Sequence, residues 1–207
     1  GSVTVNSDNN FNLDATQIAN SSLFTKGGSG TLNLAGFNGS FASKIALIIN
    51  GGSVVANHGL ATSLSMNSLT INNGATFDLR QPSLVDLSIN SLFMGGNAHL
   101  LGLNSLVLNQ FGTLSGTITT AGSQTYNGSL LLSGDTHLTT TGSGSNITIN
   151  GTIDDLQAGI SNLYLNVQNP NARTTINSPI GSLQAIGSLT IDGLATVGSS
   201  INTVGGQ

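Results

Sequence analysis

Ser68-Leu69-Thr70-Ile71-Asn72-Asn73-Gly74-Ala75-Thr76-Phe77 is the stretch that decides the fold. Apolar residues at 69 and 71 alternate with Ser and Thr, Asn72-Asn73-Gly74 interrupts, and the alternation resumes at Thr76-Phe77. A period of two turns one side of a strand apolar, and Asn and Gly tolerate the left-handed backbone of a tight corner. The stretch therefore reads as strand, corner, strand. It recurs without gaps at 105–114 (Ser105-Leu106-Val107-Leu108 onward) and at 188–197 (Ser188-Leu189-Thr190-Ile191 onward). Ser129 to Leu138 repeats the apolar spacing. One such unit cannot bury its own apolar face, so copies must stack.

Strands of three to five residues separated by Asn/Gly corners suit one architecture: an all-β, right-handed parallel β-helix (a β-solenoid), with each strand above its counterpart. Leu69, Ile71, Phe77 and Leu79 are expected to point inward, and Thr70 and Thr76 outward. Asn residues stacked at corners form hydrogen-bonded ladders. At ~20 residues per coil the chain holds about ten coils, a rod of about 45–50 Å. A longer recurrence, Ile118 to Gln124 against Ile201 to Gln207, implies a period of 83 residues, or about four coils. Ala42 to Ile49 and Asp155 to Ile160 are the two places that read as short helical turns. Gly1-Ser2 reads as a cloning scar, and residues 3–207 as a single segment excised from a longer repeat-containing chain.

The composition fits this reading. Only 6% of the residues are charged, against roughly a quarter in ordinary soluble domains. Like charges stacked at ~4.8 Å along a rod would repel throughout its length. Asn, Ser and Thr carry the solubility instead. The apolar runs are too short to span a bilayer as a helix, so no membrane insertion is expected. Four scattered basic residues and a net charge of −4 give no footprint for nucleic acid. Cysteine is absent, so the fold must stand without disulfides.

Leu23-Phe24-Thr25-Lys26-Gly27-Gly28-Ser29-Gly30-Thr31-Leu32-Asn33-Leu34-Ala35-Gly36-Phe37-Asn38-Gly39-Ser40, with the return strand Leu47-Ile48-Ile49-Asn50-Gly51-Gly52-Ser53-Val54, resembles the repeat of autotransporter passenger domains. Val54 stands where that repeat has Leu, and Phe37 or Phe41 where it has Tyr. Gln124 to Leu130, Asn146 to Asp154, Pro179 to Leu183 and Ser188 to Ile191 resemble the repeats of filamentous-haemagglutinin-type adhesins. The resemblance implies a type V-secreted protein at the surface of, or released by, a Gram-negative bacterium. Its implied role is structural or adhesive, toward a host-cell receptor, matrix, glycan or another cell. An alternative within the same resemblance is the receptor-binding or assembly region of an autotransporter toxin.

Few residues suggest chemistry, and no catalytic, cofactor or metal site is expected. Asp154-Asp155 is the one adjacent carboxylate pair, and β-helix enzymes that degrade polysaccharides cluster Asp on an outer face. Neighbouring strand residues point to opposite sides, however, so the pair reads as a solvated turn. His58, His99 and His137 lie 41 and 38 residues apart, near two coil lengths each, but without neighbouring carboxylates they make a poor metal set. Gly27-Gly28-Ser29-Gly30 precedes a strand and reads as a corner, not a phosphate loop. Thr139-Thr140-Thr141 is too irregular for an ice-binding array, and Asn127-Gly128-Ser129 is a glycosylation triplet of the kind this composition produces by chance. An enzyme is the least favoured reading.

Overall fold

The alternation expected from sequence becomes one continuous parallel structure. The computed structural model describes residues 1–206, and the side chain of each of these except Gln81. It is 58% strand and 4% helix, a parallel β-solenoid of about nine turns. At ~4.8 Å per turn that is a rod of about 40–45 Å. Every strand pairing is parallel, and the chain passes in turn along three faces.

On the first face Val3, Phe24, Leu47, Leu69, Leu92, Gly112, Leu130, Ile153, Ile180 and Ile201 stack in register. On the second, Phe11, Leu32, Val54, Phe77 and Leu100 stack in turn, and Ile118, Leu138, Leu165 and Ile191 continue the column. On the third, Leu64, Leu87, Leu106, Gln124, Ile147, Thr174 and Ala195 align. These columns face each other across the interior and form a single apolar core running the length of the rod. Leu69, Ile71, Phe77 and Leu79 are buried while Thr70 and Thr76 are partly exposed, so the inward and outward assignment holds.

The coils are unequal. Ser2 pairs with Leu23, 21 residues on; Leu106 pairs with Gln124, 18 on; Ile147 pairs with Thr174, 27 on. The shortest of these coils carries Gly112, which interrupts the leucine column of the first face, and methyls of Leu108 and Leu130 take up the space of the missing side chain. This unevenness corrects the longer recurrence. Ile118 lies on the second face and Ile201 on the first, so the 83-residue offset does not lay coil upon coil; its last partner, Gln207, lies outside the described residues. The shorter repeat survives in another form. Residues 68–77 and 129–138 turn the corner from first to second face, 105–114 that from third to first, and 188–197 that from second to third. The repeated unit is a corner with its flanking strands, used at all three vertices.

In the first coils no strand occupies the third face. A 3-10 turn, Ala15–Ile18, and one helical turn, α1 (Gly39–Ala42), cover it instead. Asp14 caps the former by accepting from Thr16 N, and Asn38 caps α1 by accepting from Phe41 N at 3.1 Å. Phe37 then packs edge-on against Phe41 and Phe77, ring centres 5.5 and 5.6 Å apart. The helical turn expected within Ala42 to Ile49 is thus displaced toward the N-terminus. Ala46–Ile49 is strand, because its alternating apolar pair continues the stacked columns. Asp155 likewise ends a strand, Ile153–Asp155, and the residues after it form turns.

Candidate functional site

Of the titratable residues singled out from sequence, Asp154, Asp155 and His58 serve the backbone. Asp154 and Asp155 are both buried, at 7% and 1% exposure, so the expected solvated turn is corrected. Asp154 lies on the outer side of its strand, and its Oδ1 accepts from Leu183 N and Gln184 N at 2.7 and 3.1 Å. Asp155 points inward. It accepts from Gln157 N, Ile160 N, Ser161 N and the Ser161 hydroxyl between 2.8 and 3.3 Å. A buried carboxylate persists only where donors replace its water, and four donors do so here. The pair anchors two loops stacked at one corner, 156–161 and 181–187.

The histidines do not converge. His58 is buried at a corner, its Nε2 3.0 Å from the carbonyl oxygens of Leu79 and Ser83, which fixes the proton on that nitrogen. Nδ1 is buried and has no partner among the described residues. His99 and His137 are exposed on the second face, and the His137 ring stacks on Tyr164 of the next coil at 4.2 Å. Among the described residues no group of three or more His, Cys, Asp or Glu could hold a metal.

Gly27-Gly28-Ser29-Gly30 is a corner, as expected. Lys26, ahead of it, points into the core and is fully buried. Its ammonium donates to the carbonyl oxygens of Gly27, Gly28 and Gly51 at 2.6, 3.0 and 3.4 Å. Burial lowers its pKa, and the charge of Asp8 offsets this in part. Sequence reading also missed a polar cluster inside the rod. Gln124 donates to the carbonyls of Ile118 and Thr139, and the Tyr126 hydroxyl donates to Gln124 Oε1 at 2.7 Å. Burial pushes the Tyr126 phenol up. Strand parity carries the signal: if Tyr126 faces inward, Gln124 must too.

Outward from the third face runs a regular array. Met66, Ile89, Leu108, Tyr126, Ile149 and Ile176 stack in one inward column. The residue after each is Asn: Asn67, Asn90, Asn109, Asn127, Asn150 and Asn177. Asn177 donates to Asn150 at 2.8 Å and Asn150 to Asn127 at 2.9 Å, the ladder expected at the corners. The residue before each is Ser65, Ser88, Val107, Thr125, Thr148 or Thr175, also outward. Asn127 of the glycosylation triplet is thus a rung. Thr139-Thr140-Thr141 belongs to no such column: Thr140 is buried and donates to Ser145 O.

At its N-terminal end the array sinks into a groove of about 280 Å³ lined by Ser43, Ser65, Met66, Asn67, Ser88, Asn90 and Asn109. Ser43, the residue that closes α1, forms one wall. Every polar lining group is a neutral hydroxyl or amide. Two other depressions lie nearby, about 180 Å³ beside Lys44 and about 300 Å³ over Asn12 and Asn33, but neither continues into the array. Comparison with protein families, with curated proteins and with solved structures finds no match to this chain.

Proposed function

We propose that this chain is a structural and adhesive segment of a type V-secreted protein displayed at, or released from, the surface of a Gram-negative bacterium. The observation that carries the reading is the use made of the ionisable groups: Asp154, Asp155, Lys26 and His58 all bond the chain's own backbone. Acid–base catalysis needs such groups free to face a substrate. What the third face offers outward is a column of Asn amides beside Ser and Thr hydroxyls, suited to contact and not to bond cleavage. The likeness of Leu23 to Ser40 to autotransporter repeats supports the route of export.

The test is direct. The purified chain is incubated with epithelial cells and, separately, with pectin and other polysaccharides. Saturable cell binding without release of reducing sugar is the expected result. Sugar release abolished by Asp154→Asn or Asp155→Asn overturns the proposal in favour of an enzyme, and absence of any cell binding reduces it to a passive stalk.

A further inference from the structure

Building on the adhesive reading, we propose that the groove lined by Ser43, Ser65, Asn67, Ser88, Asn90 and Asn109 binds an uncharged polysaccharide. Four properties of the groove favour such a ligand. The groove is concave, about 280 Å³, and so meets a ligand on more than one side.

Three of its polar side chains, Ser88, Asn90 and Asn109, are held before any ligand arrives. Asn109 Nδ2 donates to Ser88 Oγ at 3.0 Å and to Asn90 Oδ1 at 3.4 Å, so the side chains are already ordered and little rotamer freedom is left to lose.

It also retains unused bonding capacity. Among the described residues the Ser65 hydroxyl and the Asn67 amide make no hydrogen bond, and Asn90 uses only its oxygen. These are paired donors and acceptors of the kind a sugar hydroxyl answers in both directions.

The fourth property selects the ligand class. No charged side chain lines the groove; Lys44, which follows Ser43, lines a separate depression. An anionic glycan or a phosphate would find no counter-charge. A peptide adding as a strand would need an open strand edge; Val85–Met94 has a strand on either side, and the edge of Ser63–Met66 that pairs with no strand lies against α1. The Asn column continues from the groove at ~4.8 Å intervals, and hydroxyls resume beside it at Thr125 beyond Val107, a track along which a linear polymer repeats its contacts.

The whole chain is titrated with cello-oligosaccharides, chito-oligosaccharides and dextran, and in parallel with heparin and polygalacturonate, alongside the cell-binding assay. Saturable binding confined to a neutral glycan is expected. Ser65→Ala, Asn67→Ala and Ser88→Ala combined should weaken it by about tenfold or more, with circular dichroism and the melting midpoint unchanged. Thr4→Val, Thr25→Val and Thr70→Val on the first face should leave it intact and serve as the control for surface change. Binding that survives the groove substitutions, or that prefers the anionic polymers, overturns the proposal. So does inhibition of ice recrystallisation without glycan binding, which assigns the array to ordered water. Cell binding without glycan binding removes the groove and leaves the adhesive reading standing; loss of both removes both.

Discussion

Leu130 stands one level above Gly112, and the space that a side chain at Gly112 would fill is already taken by Leu108 and Leu130. A β-carbon there would lie 2.7 Å from a methyl of Leu108 and 2.8 Å from one of Leu130. Both obstacles are flexible side-chain ends, so the core can yield, at a cost. Gly112→Ala is expected to destabilise by about 1–3 kcal/mol, the usual effect of one extra carbon in a filled core. Gly128→Ala should do worse, because its β-carbon would land on the carbonyl oxygen of Gln110, which is backbone. Urea unfolding of the two variants checks the order.

Leu69→Asp and Ile71→Asp place a carboxylate among buried neighbours, whereas Thr70→Asp places it on the partly exposed outer side. The first two should each cost several kcal/mol, about 3 or more, and the third under about 1 kcal/mol. Equal losses at 70 and 71 would mean that the strand faces the other way.

Asp154 and Asp155 separate cleanly on substitution by Asn. Asp154 receives both of its backbone donors on Oδ1, so an amide can keep that oxygen and turn its nitrogen away. Asp155 receives donors on both oxygens, so an amide must confront at least one N–H with another. Asp154→Asn should cost under about 1 kcal/mol and Asp155→Asn about 2–3 kcal/mol. Thermal melts of both variants, run beside the wild type, read the difference.

Lys26→Met keeps the length of the side chain and removes the cation. The gain is an end to burying a charge; the loss is the donor for three carbonyls. Of these only the Gly27 oxygen bond is fully buried, since the bonds to Gly28 and Gly51 are part-buried and water can replace the donor there. The loss should prevail by about 1–2 kcal/mol. Equilibrium unfolding that showed Lys26→Met to be the more stable form would make desolvation the larger effect.

Acid should weaken the rod. Arg80 grips Asp78 through two hydrogen bonds, 2.9 and 2.6 Å, and holds its carboxyl below the ordinary value of 3.8. The backbone N–H of Ser29 does the same for Asp8, and the hydroxyl of Thr16 for Asp14. A carboxylate with a lowered folded pKa stabilises fully above its unfolded value, and the contribution fades as pH falls through the folded one. Stability should therefore be level from pH 7 to about 5 and decline below about pH 4. Asp78→Asn should make that decline shallower in a series of melts against pH.

Particular residues show how far the sequence was legible. Thr70 between Leu69 and Ile71 announces a strand with one buried side, and six Asn residues following stacked apolar residues announce a ladder. Both rest on the period of two, which survives any change of coil length. Lys26, Gln124 and Asp155 were opaque because each is polar yet faces inward, satisfied by partners 25 and 15 residues away for the first two and across a turn for the third. Coil length was opaque for a related reason: the repeated unit is a corner, and nothing in a corner states how many residues separate it from the next. The groove was illegible as well, since Ser43, at the end of the α1 turn that Asn38 caps, lines it together with Ser65 from a later coil.

The parallel register also sets how the rod bears tension. Each coil is bonded only to the one before and the one after, so pulling along the axis peels strands one pairing at a time instead of shearing many together. A coil such as that from Leu106 to Gln124 occupies ~4.8 Å of axis while folded but about 60 Å once drawn out. Released singly, such coils would pay out slack in steps and dissipate work at each, with the weakest junction yielding first. A tether built this way lengthens under a sudden load before its attachment points fail.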